Sequence, residues 1–261
     1  MTRGGTQRAE PLSDDAPAPI AVVAAMREEI APLIRRARID RQVRLDACQV
    51  HCGTLRGKRV LLAHTGDGRQ RAERGANALL RRFPLSKLLV IGVCGGLSPT
   101  LEPGALIVAR RVRDGDTDVP PPDAKWLERA ADHASVRDAI VLTTDRILCT
   151  AASKQEARVS LDPQLPAAVD LESAAYARAA ASFGVGYLVL RAISDTADEG
   201  LPFDLNLCRD REGQVDRGKV ARQALLHPTS VPDLWKLRGR VARSAVRLAD
   251  LVETLLDGAP A

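Results

Sequence analysis

The chain has 261 residues, 45% of them hydrophobic and 27% charged, a composition that can bury a core and excludes wholesale disorder. Its net charge of +5 is too small for a dedicated nucleic-acid binder, and 3% aromatic residues leave few platforms on which single-stranded bases could stack. Five irregularly spaced cysteines include no CxxC pair, so neither a disulfide framework nor a zinc site is indicated.

The chain begins with a polar segment rich in Ala and Pro, residues 1–19, which lacks the basic start and apolar run of a signal peptide. We expect it to be a disordered leader. No apolar stretch reaches the roughly 18 residues that a membrane-spanning helix needs. The expected location is therefore the reducing cytoplasm.

Apolar runs predict strands at 20–25, 43–50, 59–62, 88–91, 104–112, 139–143, 167–169 and 187–193. Helical periodicity predicts helices at 26–34, from the turn at 65–68 to about 83, at 125–134 and at 172–183. Apolar strands that alternate with helices predict an α/β sandwich whose sheet is covered on both faces. A polar loop after Gly200 leads to two helical segments, so we expect a single domain over 20–257 with a helical extension from about 200.

Acidic residues occur at three places where a predicted strand ends or the next helix begins, which is where α/β folds bind ligands. They are Glu28 and Glu29, Asp170 and Glu172, and Asp195. Each of them alone could be a solvated carboxylate that stabilises a helix start. Arg191 interrupts the last buried strand, and a buried arginine needs a carboxylate partner.

Four segments resemble, in order, the motif set of the nucleoside phosphorylase superfamily, and the pattern is closest to that of the methylthioadenosine/S-adenosylhomocysteine nucleosidases. They are AMREEI at 25–30, IGVCGGL at 91–97, VDLES at 169–173 and RAISDTAD at 191–198. The resemblance covers most of residues 20–198. It implies a three-layer αβα sandwich with a central mixed sheet, and no cofactor or metal.

The resemblance also implies catalytic roles for three carboxyl groups. Glu29 would activate water, Glu172 would bind the ribose hydroxyls and balance positive charge on the sugar, and Asp195 would deliver or share a proton with purine N7. Breaking an N-ribosidic bond develops oxocarbenium character, and this chemistry requires carboxylates near the sugar and an acid near the base. Arg191 could orient Glu172, or it could form a purely structural ion pair.

Further positions follow from the same motifs. The base-binding segment resembles Thr144–Leu148, with Ile147 where an aromatic side chain often stacks on adenine and Leu148 beside it. Leu171 and Ser194, next to the motif carboxylates, complete the expected substrate contacts. Phosphorylases hold phosphate with an Arg and a Ser where this chain has Val90 and Val93, which favours hydrolysis and places Val93 at the water site.

The turn at 65–68 admits two interpretations. Backbone N–H groups of a glycine turn before a helix can bind an anion, with Arg69 or Arg71 compensating for the acidic Asp67. Alternatively, the turn is an ordinary solvated helix start.

The region after Gly200 resembles, at 201–203, 211–216, 227–228 and 231–235, the extension of the hopanoid-associated members, the adenosylhopane nucleosidases. The last helix carries an apolar stripe of Leu234, Leu237, Val241, Leu248, Val252 and Leu255 and a basic stripe of Lys236, Arg240, Arg243 and Arg247. The helix could face the core with a solvated basic side. Alternatively, the basic side could touch anionic lipid at the inner membrane face.

We therefore expect a hydrolase that cleaves the N-ribosidic bond of an adenine nucleoside, of the adenosylhopane type. The alternatives are a methylthioadenosine/S-adenosylhomocysteine nucleosidase, a purine nucleoside phosphorylase and, from another class, a non-catalytic nucleoside-binding protein. The resemblance implies a homo-oligomer whose partner is a small-molecule or lipid-linked nucleoside rather than a nucleic acid.

Overall fold

The computed structural model describes residues 17–45, 48–210 and 212–258. Most of the predicted leader, and Arg211 of the second extension motif, lie outside these residues. The sheet contains β1 (Ile20–Ala24), β2 (Arg38–Leu45), β3 (Cys48–Leu55), β4 (Lys58–His64), β5 (Lys87–Gly96), β6 (Leu106–Asp114), β7 (Thr117–Asp118), β8 (Val136–Thr143), β9 (Ala167–Asp170) and β10 (Gly186–Asp195). The helices are α1 (Arg27–Arg36), α2 (Arg69–Arg82), α3 (Ala124–Ala131), α4 (Ala151–Val159), α5 (Ser173–Ser182), α6 (Arg217–Leu226) and α7 (Val231–Asp257).

The sheet is mixed, as the resemblance implied, and part of it closes on itself. Strand order runs β10-β6-β8-β9-β5-β1-β4-β3-β2, and β10 also pairs with β5 in parallel. The strands β5, β9, β8, β6 and β10 therefore form a closed circuit, a feature that the sequence did not predict. Strands β1, β4, β3 and β2 continue the sheet outward from β5.

Apolar side chains cover both faces of the sheet. Residues of α2 and α5 pack in one core cluster with the sheet, and residues of α1, α3 and α7 pack in the other. Strands such as β1 and β10 are apolar along most of their length because both of their faces are buried. The prediction of an α/β fold with helices on both faces is confirmed.

One predicted element was wrong and one helix was not predicted. The single strand expected at 43–50 is the end of β2 and the start of β3, which pair antiparallel with Val43 opposite Val50. The prediction also lacked α4, because Lys154 is the one buried residue of that helix and no apolar stripe marks it in the sequence.

The last helix faces the core with its apolar stripe, which is the first of the two interpretations of this helix. Its second half is buried in the core through side chains that include Leu248 and Val252, as the apolar stripe predicted. Two residues of the basic stripe, Arg240 and Arg247, are engaged within the chain, whereas Lys236 and Arg243 are exposed. Arg240 donates to the Glu199 carboxylate at 2.7 Å, and Arg247 donates to the carbonyl oxygen of Gly104. Within the described ranges, no helix has the length and apolar character needed to cross a bilayer.

The carboxyl ends of four strands meet at one place. Strand β5 pairs with β1 over its first residues and with β9 at Gly95 and Gly96, while β10 runs along its other side. The parallel strands β1, β5 and β10 have their carboxyl ends at the same edge of the sheet, and β9, which pairs antiparallel with the end of β5, also ends there. This edge therefore receives the segments that follow β1, β9 and β10, which carry the predicted acidic residues.

Candidate active site

A cavity of about 320 Å³ opens at this edge of the sheet, and its walls are mostly apolar. The structure brings all eight residues predicted to contact or act on substrate to this cavity: Glu29, Val93, Ile147, Leu148, Leu171, Glu172, Ser194 and Asp195. Arg191, predicted as a supporting residue, is not part of the lining. An apolar pocket with a few convergent polar groups is the usual form of a small-molecule site.

Glu29 lies in the first turn of α1, and its carboxylate accepts hydrogen bonds from two backbone N–H groups. Its Oε2 accepts a hydrogen bond from the N–H of Met26, and its Oε1 accepts one from the N–H of Val93, both at 2.8 Å. The side chain is buried, and burial raises the pKa of its carboxyl group, while Arg191 acts in the opposite direction. A raised pKa brings a carboxylate closer to the range in which it serves as a general base near neutral pH.

Glu172 is bound by the glycine turn. Its Oε1 accepts a hydrogen bond of 2.8 Å from the N–H of Gly68, the residue that precedes α2. Burial and the nearby charge of Asp170 raise the pKa of Glu172 to about 7. The backbone N–H of Gly68, which could have bound an external anion, therefore binds the carboxylate of Glu172.

The arginines that could have assisted an anion at the turn are also engaged. Arg69 pairs with Asp114 at 2.6 Å and with Asp145 at 2.7 Å. Arg71 pairs with Glu212 at 2.6 Å. The structure thus contradicts the anion-binding interpretation of residues 65–68.

Arg191 crosses beneath the cavity and pairs with Asp170 at 2.6 Å, with both side chains almost fully buried. It also donates to Ser173 Oγ at 2.9 Å. The predicted buried ion pair exists, but its carboxylate is Asp170 rather than Glu172. A Cβ atom at Gly92 would lie 2.1 Å from Arg191 Nη1 and 2.8 Å from Glu29 Oε1, so only glycine leaves room for both groups.

Asp195 ends β10 at an irregularity in the pairing with β5, between Ile193 and Asp195. Such bulges redirect a side chain and are common beside active sites. Ser194 Oγ lies 2.5 Å from Asp195 Oδ1, and Lys154 Nζ lies 2.5 Å from Oδ2. Lys154 was missed by sequence reasoning because it belongs to α4, the helix that carries no apolar stripe.

Asn206, a residue of the extension, forms hydrogen bonds with the predicted base-binding segment. The Asn206 side chain accepts a hydrogen bond from the N–H of Ile147 and donates one to its carbonyl oxygen, both at 2.9 Å. The backbone of Ile147 is thus satisfied within the chain. Asn206 was not expected from the sequence, since nothing in its local pattern links it to residue 147.

The extension also completes the cavity wall. Five of its apolar side chains line the pocket: Leu201, Leu205, Val215, Leu237 and Val241. Asp67 Oδ2 accepts a hydrogen bond of 2.6 Å from the N–H of Val215, which ties this wall to the glycine turn. Across the part of the chain that the structure describes, no group of three His, Cys, Asp or Glu side chains is placed to hold a metal ion.

Comparison with known proteins agrees with this geometry. The family described as Phosphorylase superfamily matches residues 19–226. The chain is 28% identical over 200 residues to the 5'-methylthioadenosine/S-adenosylhomocysteine nucleosidase of Aeromonas salmonicida (strain A449), an alignment that covers 68% of this chain and 86% of that protein. It is 26% identical over 209 residues to the aminodeoxyfutalosine nucleosidase of Helicobacter pylori (strain J99 / ATCC 700824), covering 71% of this chain and 90% of that protein.

Solved structures are similar over a larger share of the chain. The crystal structure of the 5'-methylthioadenosine/S-adenosylhomocysteine nucleosidase from Neisseria meningitidis, in complex with methylthio-immucillin-A, matches with a TM-score of 0.73. That match covers 93% of this chain and 100% of the other at 22% identity. It supports the fold, whereas the function has to be argued from the site.

Proposed function

Because the chain belongs to the phosphorylase superfamily, we propose that it hydrolyses the N-ribosidic bond of an adenine nucleoside. The observation that carries the proposal is the convergence of Glu29, Glu172 and Asp195 on one largely apolar cavity. Both nucleosidases compared above are named for the same class of reaction.

Each carboxyl group has a role that its position supports. Asp195 gives a proton to purine N7, so that the base leaves as a neutral molecule. Glu172 stabilises the positive charge that develops on the ribose, and Glu29 removes a proton from the water that attacks C1′. An apolar cavity strengthens these electrostatic interactions because it excludes water.

Water is favoured over phosphate as the nucleophile by the charges at the cavity. Glu29, Asp67 and Glu172 line it, and a phosphate dianion would meet these carboxylates. The backbone N–H groups of Val93 and Gly68 donate to the carboxylates of Glu29 and Glu172, respectively, instead of to an external phosphate. Val93 offers no hydroxyl group, and Val90 is buried in the core.

The test is release of adenine from methylthioadenosine, adenosine and adenosylhopane by the purified protein, each with and without phosphate. Release without phosphate supports hydrolysis. A strict phosphate requirement would indicate a phosphorylase. Tight binding of the nucleosides without release would indicate the non-catalytic binding protein.

The finer proposal concerns the group attached to the nucleoside, which we propose to be large and apolar, as in adenosylhopane. The C-terminal extension supports it, because Leu237 and Val241 extend the apolar wall from α7. Leu225, Leu226 and Trp235, also in the extension, are exposed apolar side chains. A lipid-linked substrate would give such side chains a partner at a membrane surface.

A preference among substrates tests this finer proposal. Higher kcat/KM for adenosylhopane than for methylthioadenosine supports it, and equal values without binding to liposomes would leave a nucleosidase for small substrates. The cytoplasmic location and the homo-oligomeric state stay predictions.

A further inference from the structure

Lys154 lies buried in the wall of the cavity, with 1% of its side chain exposed. Its ammonium group donates three hydrogen bonds, to Asp195 Oδ2 at 2.5 Å, to the carbonyl oxygen of Thr196 at 2.6 Å and to that of Glu199 at 2.7 Å. A lysine ammonium has three N–H donors, so all of them are used within the chain. Lys154 therefore has no donor left for a substrate.

Asp195 is the single carboxylate among these three acceptors. A buried ammonium is costly unless it is paired, and the ion pair therefore explains how Lys154 can be buried at all. Because the two carbonyl acceptors belong to the loop after β10, Lys154 also fixes the segment that carries the acid. An isolated structural ion pair would not need to place its carboxylate in a ligand cavity.

The other groups around Asp195 leave Lys154 as its charged partner. Ser194 Oγ faces Oδ1 and is neutral. Cys94, on β5, is fully buried, and burial raises the pKa of its thiol, which keeps it uncharged. Arg240, from α7, contacts the carbonyl oxygen of Ser194 and the carboxylate of Glu199.

We propose that Lys154 is a positioning residue that orients Asp195 and stabilises the negative charge that appears on it during cleavage; this inference rests on the hydrolysis proposed above. Asp195, a carboxylate while the cavity is empty, takes up a proton from solvent when the nucleoside binds, and this proton then moves from its carboxyl group to purine N7. The bond between C1′ and N9 breaks, and its electron pair stays with the purine. Water adds to C1′ and releases a proton to Glu29.

In this step Asp195 changes from a neutral acid to a carboxylate. A preorganised ammonium beside Oδ2 stabilises the carboxylate as it forms, so its effect is greatest in the transition state. Interactions that strengthen only in the transition state raise kcat rather than lower KM. Lys154 thus stabilises the negative charge that proton transfer leaves on Asp195 while it holds the carboxyl group in place.

The first experiment compares Lys154→Met and Lys154→Arg with the wild type on the best nucleoside substrate. We expect Lys154→Met to lower kcat by about 100-fold to 1,000-fold, with KM changed by less than about threefold. Lys154→Arg should recover part of kcat, since it restores the charge. The matched control is Lys87→Met, which breaks a lysine–aspartate pair of the same 2.5 Å length outside the cavity and should leave kcat unchanged.

A double-mutant cycle with Asp195→Asn separates a role through Asp195 from loss of folding. The double variant Lys154→Met/Asp195→Asn buries no unpaired charge, so it should fold even where Lys154→Met alone does not. If Lys154 acts through Asp195, the double variant should be about as slow as Asp195→Asn. Losses that multiply, or a loss in Lys154→Met confined to KM, would overturn the proposal.

Infrared spectroscopy gives a result that does not depend on activity. The difference spectrum between the wild type and Asp195→Asn contains the Asp195 band, which we expect to be that of a carboxylate in the empty enzyme at neutral pH. In Lys154→Met, a buried carboxyl group without a cation should show a protonated C=O band instead. A protonated Asp195 in the wild type would overturn the inference. A protein that shows the expected bands but releases no adenine would instead contradict the proposed function.

Discussion

The N–H of Gly68 donates a hydrogen bond of 2.8 Å to Oε1 of Glu172, which joins the turn before α2 to the start of α5. Gly68 has a φ of 96°, a conformation that glycine adopts without the strain that a side chain would cause. The turn at 65–68 therefore serves to fix a carboxylate above the cavity. The Gly68 N–H, which could otherwise bind an external anion, is therefore occupied by a carboxylate of this chain.

The pKa of Glu172 predicts a pH-dependent stability. The group ionises near its ordinary value of 4.5 in the unfolded chain and at about 7 in the folded protein. Between these values the folded state binds more protons, so stability decreases as pH rises through this window. Glu172→Gln cannot ionise and can still accept from Gly68. We expect it to be about 2 kcal/mol more stable than the wild type at pH 8.

Urea unfolding at pH 5 and pH 8 measures this difference. The advantage of Glu172→Gln should be much smaller at pH 5, where most of the carboxyl group is protonated in the folded wild type. Glu128→Gln, on the exposed side of α3, is the control and should show no such change with pH. A Glu172→Gln variant that is less stable than the wild type at pH 8 would contradict the buried, weakly acidic state of Glu172.

Asp195→Asn should lower the rate of adenine release by about two to four orders of magnitude, which is the range expected when a positioned proton donor is lost. Binding of adenine, measured by calorimetry, should survive because the asparagine keeps the shape of the side chain. Asp198→Asn is the matched control, since Asp198 belongs to the same motif but is exposed. Turnover near that of the wild type in Asp195→Asn would show that another group protonates the base.

The source of the new oxygen atom on the sugar distinguishes the two reaction classes. Because Glu29, Asp67 and Glu172 line the cavity, we expect water rather than phosphate to attack C1′. Reactions in water enriched in oxygen-18, stopped early and analysed by mass spectrometry, should yield a labelled ribosyl product and no sugar phosphate. Addition of phosphate should not increase the rate. A phosphorylated sugar would assign the chain to the phosphorylases.

The sequence predicted those parts of the fold and site that carry a local pattern. The apolar run at 88–91 and the helical periodicity at 172–183 correspond to β5 and α5, and the motif carboxylates lie together at the cavity. Lys154 could not be predicted, because its partner Asp195 is distant in the sequence and α4 is polar. Pairing between β5 and β10 likewise depends on how the whole sheet closes, which no local pattern specifies.

Gly92→Ala should displace Arg191 and Glu29 and thereby lower both stability and activity. The added methyl group would overlap Arg191 Nη1 and crowd Glu29 Oε1, and these side chains are held by buried hydrogen bonds that cannot easily move. We expect a loss of about 1–3 kcal/mol in stability, as for other overpacked cores, together with a loss of adenine release. Thermal unfolding measures the loss of stability. Gly200→Ala, whose Cβ would meet its nearest atom at 3.5 Å, is the control and should behave like the wild type.

The apolar wall from α7 predicts a preference for nucleosides with apolar substituents. Truncation before Val231 cannot test it, because the second half of α7 is part of the core. Point substitution is suitable, since Leu237 lines the cavity and is only partly buried. A series of 5′-alkylthioadenosines of increasing chain length would measure the contribution of this wall, because each methylene that becomes buried is worth about 0.8 kcal/mol.

In the wild type we expect kcat/KM to rise with chain length. Leu237→Asn should flatten that rise and lower kcat/KM for the longest substrate by about tenfold, the effect of losing part of the 1.5–3 kcal/mol that a buried leucine contributes. Adenosine should be hydrolysed as before, because it lacks the substituent that contacts the wall. Val246→Asn is the control, since Val246 is exposed on the same helix and does not line the cavity. If kcat/KM in the wild type were constant or fell with chain length, the pocket would be built for a small nucleoside and the adenosylhopane assignment would be wrong.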